Sequence, residues 1–371
     1  MLLGIDASQA NREQRSGTEW YAFYLIRQFA ALLRDRREIK VRLYLRGKAR
    51  ADLAAALPDN FEIKSLRWPI RYFWAQGRLS LEMAFNAPDI LFSPAHTIPL
   101  VHPKNTFTAL HDIGFDDCPE LYDRFSLWYH RFSARFAVRR AKHIFTVSDF
   151  SRKRVIEKYR LGPEKISTVY PGYDRNKYRP YNPNEIGPVL KKYGLSRKNY
   201  FLFVGRLEPK KNIQNIIKAY DLFESLRGRP GSAEAIPGLI LVGRIVKKPQ
   251  TNNPKVRFLG YIEESDKPAL YAGAAAFVFP TLYEGFGLPI IEAQACGAPV
   301  ITSGTASNPE VAGSGALIVN PNRVSDIAAA LQEVLSDETK KTDLIKRGLE
   351  NVKRFDWRET AERILDKMLA C

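Results

Sequence analysis

The chain has 371 residues, 45% of them hydrophobic, and 57 Lys and Arg against 40 Asp and Glu give it a net charge of +17. That length exceeds one ordinary core and predicts two domains, while the apolar fraction excludes a disordered chain. No apolar run approaches the ~20 residues of a membrane span, and residues 1–6 enter a strand without a charged leader, so a cytoplasmic protein is expected.

Cys118, Cys296 and Cys371 lie far apart without C-x-x-C spacing or His-rich neighbours, which points to plain thiols rather than a disulfide framework or a zinc site. The charge is uneven: residues 1–180 carry 31 Lys and Arg against 19 Asp and Glu, a net of +12. A basic half of this kind attracts nucleic acid, anionic lipid or a diphosphate-linked acceptor.

In chain order, apolar runs at residues 2–6, 41–45, 90–93, 106–110, 144–147 and 166–169 alternate with helical stretches, the pattern of a parallel sheet wrapped by helices. After the first run, Ser16-Gly-Thr-Glu-Trp-Tyr21 follows a polar loop, and Gly17 starts a helix running to residue 33; taken alone, Gly17 is simply a helix N-cap. His111, in Thr106-Phe-Thr-Ala-Leu-His111-Asp-Ile-Gly-Phe115, lies just past the carboxyl end of a strand. Arg67-Trp-Pro-Ile-Arg-Tyr-Phe-Trp74 and the stretch from Phe125 to Arg140 interleave aromatic and basic residues. Core packing is the commoner fate of such aromatics; the sharper alternative is docking on an anionic membrane.

Pro171, Gly172, Pro180, Pro183 and Gly187 punctuate a polar stretch, and residues 181–198 read as a linker after a domain of residues 1–180. A second series of runs at 201–204, 239–242, 256–259, 276–279, 300–302 and 317–319 builds a second doubly wound domain over residues 199–355. Residues 356–371 close the chain with an amphipathic helix.

Two strings of the second domain carry chemistry. Phe203-Val-Gly-Arg-Leu-Glu-Pro-Lys-Lys-Asn212 leaves a strand, and its Arg206 and Lys211 suit phosphate, the first through a bidentate fork and the second as a point charge. Thr281-Leu-Tyr-Glu-Gly-Phe-Gly-Leu-Pro-Ile-Ile-Glu292 leads from a strand into a helix, with Pro289 in the first turn. Gly285 and Gly287 let backbone approach a ligand, and the helix-start amides offer donors to an anion. Glu284 and Glu292 repel that anion and instead accept from neutral hydroxyls, so the pattern suits a sugar joined to a phosphate. Alone, each string also fits a solvated basic loop or a well-formed helix start. There is no D-x-D motif with flanking metal ligands, and Asp116-Asp117 is only a weak metal signal.

The string from Glu284 to Val300 closely resembles the E-x7-E signature of the retaining glycosyltransferases of family 4, and the string around Arg206 resembles that family's V-G-R-x-x-x-K-K-N motif. The resemblance covers nearly the whole chain and is most specific over residues 201–321. It implies the GT-B fold, an α/β build of two doubly wound Rossmann-like domains facing each other across a cleft, with the closing helix packed back on the first. It implies transfer of a sugar from a nucleotide-sugar donor with retention of configuration, and no metal or other cofactor.

By resemblance, Arg206 and Lys211 neutralise the donor diphosphate, Glu284 contacts the sugar and Glu292 the ribose hydroxyls. Gly285, Phe286, Gly287 and Leu288 present backbone amides, Gly243, Tyr261 and Ile262 lie where the base is held, and the Gly17 backbone approaches phosphate. The His111 string resembles the H-D-[LI] segment of mannosyl- and related transferases, which makes His111 a sugar contact with Asp112 orienting it and favours GDP-mannose over UDP-sugars. The acceptor is then a glycan or a lipid-linked glycan of cell-surface polysaccharide or glycolipid assembly, met at the inner face of the membrane. Asp116-Asp-Cys-Pro-Glu120 and Ser314-Gly315 depart from the family pattern. The rival readings are a sugar-nucleotide epimerase or hydrolase and a basic nucleic-acid-binding protein; the paired phosphate loops and the lack of a nucleic-acid module argue against the second.

Overall fold

Runs such as Ile90–Ser93 and Tyr200–Val204 are apolar at nearly every position, and in the computed structural model both become strands buried on two faces in parallel sheets. The structure describes residues 1–55, 57–70, 72–227 and 236–370; Arg71 and Cys371, part of segments read above, lie outside these. The chain divides into two units: Met1–Gly172 with Asp356–Cys371, and Tyr173–Phe355.

Unit 1 contains β1 (Leu2–Asp6), β2 (Lys40–Arg46), β3 (Phe61–Leu66), β4 (Ile90–Ser93), β5 (Asn105–Ala109), β6 (His143–Thr146) and β7 (Ile166–Thr168) in the order β3-β2-β1-β4-β5-β6-β7. All neighbours pair in parallel. β3 was not expected. Its sequence Phe-Glu-Ile-Lys-Ser-Leu alternates and sits at a sheet edge, where one face stays wet and no apolar run is needed.

Unit 2 contains β8 (Tyr200–Val204), β9 (Gly238–Val242), β10 (Val256–Gly260), β11 (Ala276–Phe279), β12 (Val300–Ser303) and β13 (Ala316–Val319), ordered β10-β9-β8-β11-β12-β13 and again parallel. In both sheets the winding reverses once, between β1 and β4 and between β8 and β11. Ligands of doubly wound sheets bind at the carboxyl ends of the strands at such a reversal.

The expected linker at 181–198 is instead largely a helix, Pro183–Lys192, within unit 2. Pro183 occupies the first turn, where no amide partner is needed, while Pro188 stands inside the helix and leaves one carbonyl without its usual amide donor. Asn182 accepts from the Glu185 amide at 3.0 Å while Glu185 reaches back to the Asn182 amide at 2.9 Å. Ile186 and Leu190 are buried. The unit begins before this helix because Tyr178 packs edge-on against Tyr271 at 6.2 Å and Lys177 pairs with Glu264 at 3.3 Å.

The closing helix, Trp357–Leu369, is part of unit 1. Asp356 caps it, accepting from the Arg358 and Glu359 amides at 2.7 and 3.2 Å. Trp357 stacks on Tyr24 of the first helix, Gly17–Leu32, with centroids 5.3 Å apart. A side chain at Gly172 would put its Cβ 2.2 Å from the Trp357 nitrogen, so glycine is required where the chain passes the helix start.

The basic helix Arg124–Arg140 corrects the expectation of core-packed aromatics. Ser133, Ala134, Ala137 and Val138 form its buried face, whereas Phe125, Trp128 and Phe132 are exposed. Small residues give the closer approach to the core of Leu110, Ile113 and Ile144, which leaves the large rings on the outer face.

Candidate functional site

At the reversal of the second sheet, two turns meet. The first leaves β8 through Gly205 (φ +155°), runs past Arg206 and makes a short 3-10 turn over Pro209–Lys211. Asn212 then takes a left-handed conformation and leads into the helix Ile213–Arg227. Its amide group donates to the carbonyls of Pro280 at 3.0 Å and Pro321 at 2.7 Å, so it fastens the first turn to the second. The Leu282 amide adds a 2.9 Å bond to the Lys210 carbonyl.

The second turn leaves β11 and enters the helix Leu288–Ala295 through Gly287 (φ +103°). Only glycine adopts that backbone without strain. Ser307 is fully buried behind the turn, its hydroxyl 3.0 Å from the Glu284 carbonyl and 2.9 Å from that of Phe286. Asn308 donates to the Thr281 and Ser303 hydroxyls at 2.9 and 2.7 Å. The glycine-rich segment is therefore held from below by a polar network.

The two turns bring Lys211 and Glu284 into an ion pair, Nζ to Oε1 at 2.5 Å, with side chains 14% and 10% exposed. Burial lowers the Lys211 pKa although the Glu284 carboxylate opposes it. Arg206 points outward, pairs with Glu208 at 3.0 Å and is 52% exposed. The site thus holds one buried cation paired with Glu284 and one solvated cation paired with Glu208.

Glu292, eight residues on, has a different environment. It accepts from the Tyr271 hydroxyl at 3.0 Å, and burial pushes its carboxyl up despite the nearby Lys267 ammonium. Lys267 is held above its usual range, Glu292 and Glu264 outweighing its own burial, and it pairs with Glu264 at 2.5 Å. Two glutamates of one string are thereby differentiated, Glu284 bound to a cation and Glu292 to a neutral phenol.

Gly243 follows β9 with φ +130°, and a Cβ there would lie 2.1 Å from the Gly205 carbonyl oxygen. The crossing of two strand exits is sufficient reason for this glycine. Tyr261 is exposed after β10, whereas the Ile262 side chain is buried, which leaves only its backbone to meet a ligand.

In unit 1, Gly17 is the first residue of its helix, as expected, and the blander reading of it as the N-cap does not hold. Ser16 holds that place, and Glu19 accepts from its amide at 3.1 Å. No neighbour crowds Gly17. The His111 Nε2 lies 2.9 Å from the Pro94 carbonyl, and the Tyr21 ring meets the imidazole edge-on at 4.6 Å. A carbonyl only accepts, so Nε2 carries hydrogen and Nδ1 of the neutral ring is an acceptor; burial favours that neutral form. Asp112 accepts from the Gly114 amide at 2.8 Å, and its carboxylate beside His111 opposes the burial that lowers the imidazole.

Comparison with known proteins places this geometry. The pattern of Glycosyl transferases group 1 matches residues 189–351, and that of Glycosyltransferase Family 4 matches residues 15–177. The chain is 37% identical over 264 residues to O-antigen chain mannosyltransferase B of Escherichia coli, covering 68% of this chain and 67% of that protein. It is 30% identical over 302 residues to O-antigen chain mannosyltransferase RfbU of Salmonella typhimurium, covering 80% and 77%. The chain belongs to the group 1 glycosyl transferases.

The protein is a hexosyltransferase of that family. The glycosyltransferase shares its fold with Anabaena HepE, solved with UDP and glucose, at a TM-score of 0.73, 20% identity and coverage of 100% and 99%. It shares it also with WaaG, a glycosyltransferase involved in lipopolysaccharide biosynthesis, at 0.71, 16% identity and 99% of both chains. The two Rossmann-like units are those of the GT-B class.

Within unit 2 of the transferase, the structure brings Lys211, Glu284 and the backbone of Gly285, Phe286, Gly287 and Leu288 to one sheet reversal, with Arg206 at its rim. Gly17 and His111 belong to unit 1. Sequence reasoning missed Ser307, Tyr271 and Lys267, which support or surround the two glutamates. Ser307 stands just before the short helix Asn308–Ala312, and Tyr271 and Lys267 lie on the helix Lys267–Gly273, none of them with a local signal. Among the described residues Cys118 and Cys296 form no disulfide, and burial pushes the Cys296 thiol up.

Proposed function

We propose that this glycosyltransferase moves mannose from GDP-mannose, with retention and without a metal ion, to a lipid-linked glycan in cell-surface polysaccharide synthesis. The observation that carries the choice of sugar is the 37% and 30% identity to two O-antigen chain mannosyltransferases. The site chemistry supports a nucleotide-sugar donor. Lys211, Arg206 and the amides at the start of the helix Leu288–Ala295 supply positive charge for a leaving diphosphate, and that charge is stabilising to a greater degree as the sugar departs. Glu284 accepts from sugar hydroxyls once the diphosphate takes over its lysine, and Glu292 accepts from the ribose. His111 offers Nδ1 to a sugar hydroxyl.

In the reaction the bond from the anomeric carbon to the donor phosphate oxygen breaks as the bond to the acceptor oxygen forms on the same face. The acceptor hydroxyl proton passes to the leaving phosphate. The setting is the anionic inner surface of the cytoplasmic membrane; among the described residues no helix is long and apolar enough to cross a membrane.

The test is thermal shift against GDP-, UDP- and ADP-sugars, since a ligand of the native state raises its melting temperature, followed by determination of the product anomer. Stabilisation by GDP-mannose and an α-linked mannoside are expected. Stabilisation by UDP-sugars alone refutes the donor, and donor turnover without acceptor moves the reading to an epimerase or hydrolase.

A further inference from the structure

The basic helix Arg124–Arg140 holds five arginines in 17 residues and no acidic residue. Opposite its buried face, Phe125, Trp128 and Phe132 are 45%, 55% and 40% exposed. These rings form a ladder: Trp128 and Phe132 stack at 5.8 Å and 10°, and Phe132 and Phe136 at 6.3 Å and 18°. The neighbouring loop extends the ridge, with Ile70 and Tyr72 also exposed and Tyr72 meeting Phe125 at 5.4 Å. After the loop, the Phe73 ring meets Tyr129 edge-on at 5.7 Å, and the Tyr129 hydroxyl donates to Gln76 of the helical turn Trp74–Leu79 at 3.0 Å.

Arg124, Arg135, Arg139 and Arg140 make no ion pair among the described residues, and with Trp128 and Phe132 they line a depression of about 640 Å³. Rigid rings held in water beside unpaired guanidinium groups are unfavourable for a surface with no partner. We propose that this ridge is the face by which the protein docks on an anionic phospholipid bilayer, with the aromatic rings at acyl-chain depth and the arginines on lipid phosphates. A second copy of the chain would set arginines against arginines, and a nucleic-acid backbone would leave the Trp128 and Phe132 rings without an apolar medium. The proposal deepens the reading of a lipid-linked acceptor and rests on it for its purpose, though not for its physics.

Flotation of the full chain with phosphatidylglycerol-containing vesicles, against pure phosphatidylcholine, tests it. Binding to the first only, weakened by salt, is expected. R135Q/R139Q should weaken it by about fivefold for each arginine removed. W128A/F132A should weaken it at every salt concentration, with melting temperature and nucleotide binding unchanged because both rings are exposed. The proposal is overturned if the native chain does not float, if both double variants float as well as it does, or if W128A/F132A dissolves a dimer. Turnover of a soluble short acceptor is measured in parallel. Its loss would refute the transfer reading and leave flotation untouched, and the reverse result would refute only the docking face.

Discussion

The Lys211–Glu284 pair lends itself to a double-mutant cycle. At 2.5 Å the Coulomb attraction is about 7 kcal/mol for an effective dielectric constant near 20, and desolvation of two ions that are 14% and 10% exposed offsets most of it. Removing one partner leaves the other charge buried and unmatched, so K211M and E284Q should each destabilise unit 2 by about 3–5 kcal/mol. The double variant K211M/E284Q leaves no buried charge and should cost far less than the two single losses together. All five tryptophans, Trp20, Trp68, Trp74, Trp128 and Trp357, lie in unit 1, so tryptophan fluorescence follows the wrong unit. Calorimetry or hydrogen exchange on residues of β8 and β11 reports on the right one. GDP binding separates the roles further: K211M should abolish it, while E284Q, which frees the lysine, should leave it no weaker and still stop transfer. Additive single losses, or single losses below about 1 kcal/mol, would refute the view that the pair is a buried, mutually dependent unit.

Glu292 gives a pH-dependent counterpart. Burial makes the folded chain hold this proton more tightly than the unfolded chain, whose carboxyl titrates near 4.5. Stability contributed here therefore falls as pH rises from that value to the raised folded pKa, and stays lower above it. E292Q should melt higher than the native chain at pH 8, match it below about pH 4, and bind nucleotide more weakly; an unchanged pH profile of melting would contradict this. S307A removes the hydroxyl behind the glycine turn and should cost about 1–3 kcal/mol, with turnover falling alongside it, as read by calorimetry and initial rates. Retained stability and rate would mean that the turn holds itself.

Much of this architecture is visible in the sequence because a parallel sheet demands apolar side chains on both faces, and runs such as Phe201-Leu-Phe-Val204 announce it directly. β3 escapes because an edge strand is under no such demand. The helix Pro183–Lys192 was obscured by Pro183 and Gly187, residues that break helices in general but are harmless in a first turn and at an uncrowded position. In the site, the strings around Arg206 and Glu284 are legible since each turn is local. That Lys211 bonds Glu284 depends on β8 and β11 being neighbours, which is a property of the winding. The exposure of Trp128 was hidden for another reason: helical spacing of aromatics describes a face, and only the small residues Ser133, Ala134, Ala137 and Val138 reveal that the opposite face is the one turned inward.

The closing helix has a consequence for the order in which the protein takes shape. Unit 2 is one continuous stretch, whereas unit 1 needs a segment that follows unit 2 in the chain. During synthesis the first sheet must therefore wait, with Tyr21 and Tyr24 uncovered, until the whole of unit 2 has emerged, and unit 2 is free to fold first. Truncation before Asp356 removes five buried apolar side chains, Trp357, Ala361, Ile364, Leu365 and Met368, from unit 1. At roughly 1.5–3 kcal/mol for each large one, the loss rivals the ~5–15 kcal/mol that holds a domain together. A nascent chain halted before this helix would thus carry a folded unit 2 joined to an unfinished unit 1, which makes Trp357–Leu369 the step that completes the first unit.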